Sequence, residues 1–147
     1  MSLLLNRKAS FDYDIVETLE AGIELLGTEV KSLRKGLGSI VGSRVAPRGG
    51  EVYLVGATIP PFQEKNAAAD FDPERNRRLL LTKKEIKTLE NTEKEKGLTI
   101  VPISVYNKGR KIKVEIGIAK GKKKFDKRET IKKRETDRDI RREWKDR

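Results

Sequence analysis

The chain has 147 residues, with 34 Lys or Arg against 23 Asp or Glu, so its net charge is +11 at neutral pH. It contains no cysteine and no histidine, which excludes a disulfide framework, a thiolate metal site and every Ser-His or Cys-His hydrolase. The length allows one domain of ordinary size plus an appendage. No stretch is apolar for long enough to cross a bilayer. The opening Met1-Ser2-Leu3-Leu4-Leu5-Asn6-Arg7-Lys8 has too short an apolar run for a signal peptide and its charges on the wrong side. A cytoplasmic, basic protein with no membrane association is expected.

Phe11, Tyr13 and Ile15 alternate with Asp12 and Asp14, which predicts a half-buried strand over residues 11–19. Glu20-Ala21-Gly22 reads as a break or bulge, after which Ile23 to Leu26 resumes the strand and Gly27 ends it. Thr28 is placed to cap a short helix, Glu29 to Lys35, with Val30 and Leu33 inward and Gly36 closing it. Ile40 to Pro47 and Glu51 to Ile59 form the next strands, joined by the turn Pro47-Arg48-Gly49-Gly50.

Residues 60–78 show no sustained period, and loops of that length are usually functional or disordered. Leu79-Leu80-Leu81 leads into a second helix, where Thr82 and Glu85 have capping-box spacing, Ile86 and Leu89 make the apolar seam and Gly97 is the stop. Thr99 to Tyr106 and Lys111 to Ala119 read as a hairpin across Asn107-Lys108-Gly109-Arg110, with Ile112, Val114, Ile116 and Ile118 alternating cleanly. The elements add up to a mainly β chain: an antiparallel, six-stranded barrel of oligonucleotide-binding type, closed or partly open, with about three short helices. It spans residues 1–119.

Residues 120–147 are different. They hold fourteen Lys or Arg against seven Asp or Glu, +7 of the chain's +11, and their large apolar residues are Phe125, Ile131, Ile140 and Trp144. So little apolar surface cannot offset the entropy of ordering the segment. The expectation is a basic tail, disordered when free, that orders on a polyanion. As a continuous helix it would reach about 40 Å, with Ile140 and Trp144 four apart on one face.

The carboxylates Glu17, Glu20, Glu24, Glu29, Asp70 and Asp72 show no convergent spacing, and most read as solvent-facing. Gly36-Leu37-Gly38-Ser39 and Gly117 to Gly121 match no phosphate-binding loop. The basic clusters carry more: Asn6-Arg7-Lys8, Lys31 with Arg34 on one helix face, Arg75 with Arg77 and Arg78, and Lys122-Lys123-Lys124-Phe125. Cations screen phosphates and a flat ring stacks on an unpaired base, so RNA binding is the economical reading. Two rivals remain at this level: a general single-strand binder, and a metal-dependent nuclease using Glu20, Glu29 and Asp72.

Asn6-Arg7-Lys8-Ala9, Glu20-Ala21-Gly22-Ile23 and Gly27-Thr28-Glu29-Val30-Lys31-Ser32-Leu33-Arg34, in that order, resemble the SmpB, or SsrA-binding, protein family. Asp72-Pro73-Glu74-Arg75, Arg78-Leu79-Leu80-Leu81, Lys96 to Pro102, Gly117 to Lys123 and Phe125-Asp126-Lys127-Arg128 continue the resemblance over nearly the whole chain. The resemblance implies a non-enzymatic adaptor of trans-translation, monomeric when free and needing no cofactor or metal. Such a protein binds the tRNA-like domain of tmRNA, delivers it to stalled ribosomes and mimics the codon–anticodon stem. It implies RNA contacts from Asn6, Glu20 and Leu80. With the basic clusters, the candidate tmRNA-binding set is Asn6, Arg7, Lys8, Glu20, Lys31, Arg34, Arg75, Arg77, Arg78 and Leu80. It further implies that Gly121, Lys122, Lys123, Lys124, Phe125, Asp126, Lys127 and Arg128 meet the small-subunit decoding centre, with Phe125 stacking on ribosomal RNA. The remaining tail, including Lys132, Lys133, Arg134, Ile140 and Trp144, enters the mRNA channel as a helix. Phe71 stands where many relatives carry histidine, and the neighbouring Ala67-Ala68-Ala69 is less polar than is usual in the family.

Overall fold

The computed structural model describes residues 2–63 and 71–121. Seven strands and three helices follow in the order β1 (Ser2–Leu5), α1 (Arg7–Asp12), β2 (Tyr13–Ile23), α2 (Gly27–Arg34), β3 (Arg44–Arg48), β4 (Glu51–Val55), β5 (Arg77–Leu80), α3 (Lys83–Lys94), β6 (Leu98–Lys108) and β7 (Lys111–Gly121). All pairings are antiparallel, in the order β1-β6-β7-β2-β5-β4-β3. The sheet curls until β3 lies beside β6, but no ladder joins the two among the described residues. The expected mainly β architecture stands, in the partly open form and with seven strands where six were predicted.

The extra strands are short. Residues 2–5 extend the β6 edge and bury Leu4. Arg77–Leu80 bridges β4 and β2, so Leu79 enters the core where the sequence suggested a helix lead-in. The first predicted strand also shifts. Phe11 and Asp12 belong to α1, whose N-cap is Asn6. Glu20-Ala21-Gly22 is no break, because β2 runs through it; the bulge falls earlier, between Ile15 and Glu17. Gly22 is instead a point of close approach. A Cβ there would sit 3.1 Å from the Leu80 Cβ on the paired strand.

Elsewhere the local chemistry matches its expected role. Gly49 and Gly50 both take positive φ between β3 and β4, the twist a two-residue hairpin needs. In α3, Thr82 Oγ1 accepts from the Glu85 N–H at 3.2 Å while Glu85 Oε1 accepts from the Thr82 N–H at 3.0 Å, which satisfies two donors left open at a helix start. The α3 seam seats the fully buried Leu89. Ile112, Val114, Ile116 and Ile118 all point into the core, as their period-two spacing requires. Helix α2 departs from the forecast: its N-cap is Leu26, whose N–H donates to Glu29 Oε1 at 2.8 Å, and Thr28 Oγ1 instead accepts from the Phe62 N–H at 2.7 Å.

Candidate nucleic-acid interface

Strands β2 and β7 pair from Tyr13↔Gly121 to Gly22↔Lys113. At about 3.3 Å per residue this ribbon is roughly 30 Å long. At its Gly22 end lies a groove of about 300 Å³ between α2, β5 and the β6–β7 turn. Ile23, Leu25, Val30 and Leu80 give it apolar walls, and Arg34, Arg110, Lys111 and Lys113 supply four cations around them. Leu80 is 47% exposed, unusual for a leucine beside a buried strand partner. Arg34 donates to the Arg110 carbonyl at 3.1 Å, which ties α2 to the turn. An apolar wall with a cationic border suits a nucleotide, whose base is flat and weakly hydrated and whose phosphate is anionic.

The outer face of the same ribbon carries a polar row. Glu20 accepts from the Tyr106 hydroxyl and from Lys108 Nζ at 2.9 Å. The Tyr106 hydroxyl bond first, and Lys108 second, hold its carboxyl below the ordinary carboxylate range. Burial and the Glu20 carboxylate push the Tyr106 phenol up, so it stays a donor. Glu20 therefore holds a basic side chain and a ring in place.

Behind the groove Glu29 is fully buried and receives five hydrogen bonds. Oε1 accepts from the Leu26 N–H and from Arg75 NH2 at 2.5 Å; Oε2 accepts from Arg75 Nε at 3.2 Å, Arg77 Nε at 2.9 Å and Arg77 NH2 at 2.6 Å. Burial alone would raise the Glu29 pKa, but the two guanidinium groups and the backbone donor outweigh it and hold it below the usual range. Arg77 also donates to the carbonyls of Ala57 and Pro73, both at 2.8 Å.

This arrangement corrects two candidate RNA contacts. Arg77 is 0% exposed and its guanidinium is used up inside the protein. Asn6 is buried as well: its amide donates to the Pro102 carbonyl at 2.9 Å and its Oδ1 accepts from the Ala9 N–H at 3.2 Å. Neither side chain presents itself to a ligand. The remaining candidates scatter. Arg34 and Leu80 meet at the groove. Lys31 borders a smaller depression with Gly27, Thr28, Phe62 and Gln63. Arg78 pairs with Glu24 at 2.8 Å and Glu51 at 3.7 Å. Arg7 and Lys8 are exposed on the first turn of α1, near Tyr13 and so at the far end of the ribbon.

Glu20, Glu29 and Asp72 do not converge, and among the described residues no three Asp or Glu gather as a metal site would require. Sequence reasoning missed Arg110, Lys111 and Lys113. For Lys111 and Lys113 the signal was the outward parity of β7, opposite the inward isoleucines; Arg110 lies in the turn before it and had none. Gly121, named with the decoding-centre residues, is the last residue of β7 and pairs with Tyr13. The decoding-centre and channel residues Lys122 to Trp144, and the segment 64–70, lie outside the described residues.

A curled antiparallel sheet with a cation-bordered apolar groove defines the class: a small β protein whose surface chemistry suits nucleic acid. Comparison with known proteins narrows it. The profile of the SmpB protein family matches residues 3–146. The SsrA-binding protein of Thermosipho africanus is 54% identical over 136 residues, 92% of this chain and 91% of its own. That of Chloroflexus aggregans is 49% identical over 140 residues, 95% of this chain and 89% of its own. A chain in the solved structure described as "tmRNA-SmpB: a journey to the center of the bacterial ribosome" superposes with a TM-score of 0.68 at 48% identity, covering 82% of this chain and 85% of that one. This chain belongs to the SmpB family.

Proposed function

We propose that the chain is the tmRNA-binding protein of trans-translation in its cell. It holds the tRNA-like domain of tmRNA, brings it to ribosomes stalled without a stop codon and stands in for the missing codon–anticodon stem. The observation that carries this reading is the groove at the Gly22 end of the β2–β7 ribbon. There the exposed Leu80 and the cations Arg34, Arg110, Lys111 and Lys113 surround a space that fits an unpaired nucleotide. A flat cationic surface would take any polyanion, whereas an apolar wall beside the cations discriminates by shape.

The protein acts by positioning RNA, not by chemistry on it. Glu20 orients Lys108 and Tyr106, and Glu29 is engaged by Arg75 and Arg77, so both carboxylates serve the architecture of the surface. The basic residues 122–147 serve the ribosome-facing half of the task, reaching the decoding centre and mRNA channel. Truncation after Gly121, which keeps β7 whole, is the test. The shortened protein is expected to bind tmRNA with near-normal affinity and to support no peptide tagging in a reconstituted translation system. Tagging by the shortened protein would contradict this division of labour.

A further inference from the structure

The two walls of the groove come from separate parts of the chain. Leu25, Val30 and Arg34 belong to α2 and its approach, while Leu80 belongs to β5. Leu80 makes close contact with β2, and nothing in that contact sets the distance to α2. Glu24, just before Leu25, is tied to β5 by its N–H on the Arg78 carbonyl at 2.9 Å and by Arg78 on its Oε1 at 2.8 Å; the link from the helix itself is the Glu29 carboxylate. Glu29 precedes Val30 on α2, and Arg77 opens β5 three residues before Leu80. Bonds from Arg77 Nε and NH2 to Glu29 Oε2 connect the helix to the strand, and Arg77 reaches on to Ala57 and Pro73. Arg75 closes the link from outside. It donates to both Glu29 oxygens and, at 3.5 Å, to the Glu24 carbonyl just before Leu25. Such forked, charge-assisted bonds are directional and resist sliding of one wall past the other.

We propose that Glu29, Arg75 and Arg77 form the positioning device of the RNA groove, and that Arg75, although partly exposed, acts through Glu29 and not on a phosphate. The inference rests on the groove being the tmRNA site. It assigns to an arginine in a basic cluster a role that charge alone would not suggest. Its side chain is 30% exposed, and the exposed part belongs to a guanidinium already bound through two nitrogens.

The test measures binding of the full chain to a transcript of the tRNA-like domain across a salt series, with ordinary tRNA as competitor. Circular dichroism confirms the fold at the temperature used. Arg75→Met leaves the buried Glu29–Arg77 pair intact. It should weaken binding about tenfold, the equivalent of one charge-assisted hydrogen bond, with the slope of log K against log salt unchanged. Arg75→Lys should fail to restore affinity, because an ammonium lacks the fork. A slope shallower by about one, together with rescue by Arg75→Lys, would mean that Arg75 touches phosphate and would overturn the proposal. Unchanged affinity in Arg75→Met would overturn it too. The pair Glu29→Met with Arg77→Met removes both buried charges together, a replacement that folded proteins tolerate. It too should bind about tenfold more weakly, and wild-type affinity in this folded double variant would contradict the proposal. If the wild-type chain fails to distinguish the tRNA-like domain from tRNA, the groove reading itself falls. If it distinguishes them and the variants bind alike, only the positioning role falls.

Discussion

The two ends of the β2–β7 ribbon are both basic and differ in what surrounds the charge. At the Tyr13–Gly121 end, Lys8 and Arg44 border a pocket of about 280 Å³, and α1 lays Ala9 over Val101 and Ala119 with Tyr13 packed alongside. The small apolar residues there are covered by the protein's own helix, while Ile15 and Val16 on β2 stay exposed outside that pocket. At the Gly22–Lys113 end four cations, Arg34, Arg110, Lys111 and Lys113, border the groove with no carboxylate among them, Leu80 stands open and the groove walls are apolar. Positive charge is cheap on a chain of +11 and attracts any nucleic acid. An uncovered apolar wall costs solvation, which is why the proposed RNA site is placed at the groove. The other end is where β7 finishes at Gly121, so under the proposed division of labour the two tasks start about 30 Å apart along the ribbon.

The comparison breaks most severely if the groove end loses its support. Glu29→Ala strands Arg77 in the interior without a counter-charge, so unfolding free energy should drop by about 3–5 kcal/mol in denaturant titrations. The corresponding loss should be absent for Lys8→Ala at the other end.

Acid probes the same support more gently. The Glu29 carboxyl titrates lower in the folded chain than its ordinary value of 4.5. Its contribution is therefore complete above that value and fades as pH falls toward the lower, folded one. Thermal melts from pH 6 down to 3 should show a fall that is shallower in the Glu29→Met, Arg77→Met double variant. Equal slopes would mean that other carboxylates control acid stability.

Single cations sharpen the picture. Lys113→Ala should weaken binding to the tRNA-like domain severalfold and reduce the salt slope by about one. Arg48→Ala, which removes an exposed ion pair to Glu93 at 2.7 Å, should change stability by less than about 1 kcal/mol. A large effect there would show that the β3–β4 hairpin is more tightly coupled to α3 than its exposure implies.

Much of the fold was legible where local pattern and final burial agree. The inward Ile112, Val114, Ile116 and Ile118 and the Thr82–Glu85 capping box were readable from spacing alone. Strands β1 and β5 were not, because each is four residues long and is defined by partners far away in sequence. The site was harder still. Arg75, Arg77 and Arg78 look alike in the chain, yet one is sealed in the interior by Glu29, 48 residues upstream, and another pairs with Glu24 and Glu51. Leu80 came through the family resemblance, and the structure leaves it exposed at the groove. Arg110, Lys111 and Lys113 were passed over as a turn and a solvent face, since nothing local says that α2 folds back against them.

The central claim, that the groove end of the ribbon is the tmRNA-reading end, is tested most directly by one paired binding measurement. Leu80→Asp and the double variant Lys8→Ala with Arg44→Ala are titrated with the tRNA-like domain of tmRNA at moderate salt, with ordinary tRNA as competitor. The account predicts that Leu80→Asp loses most of its affinity and its preference over tRNA, while the double variant keeps its preference and weakens only slightly. The reverse pattern, with preference surviving in Leu80→Asp and lost in the double variant, would contradict it.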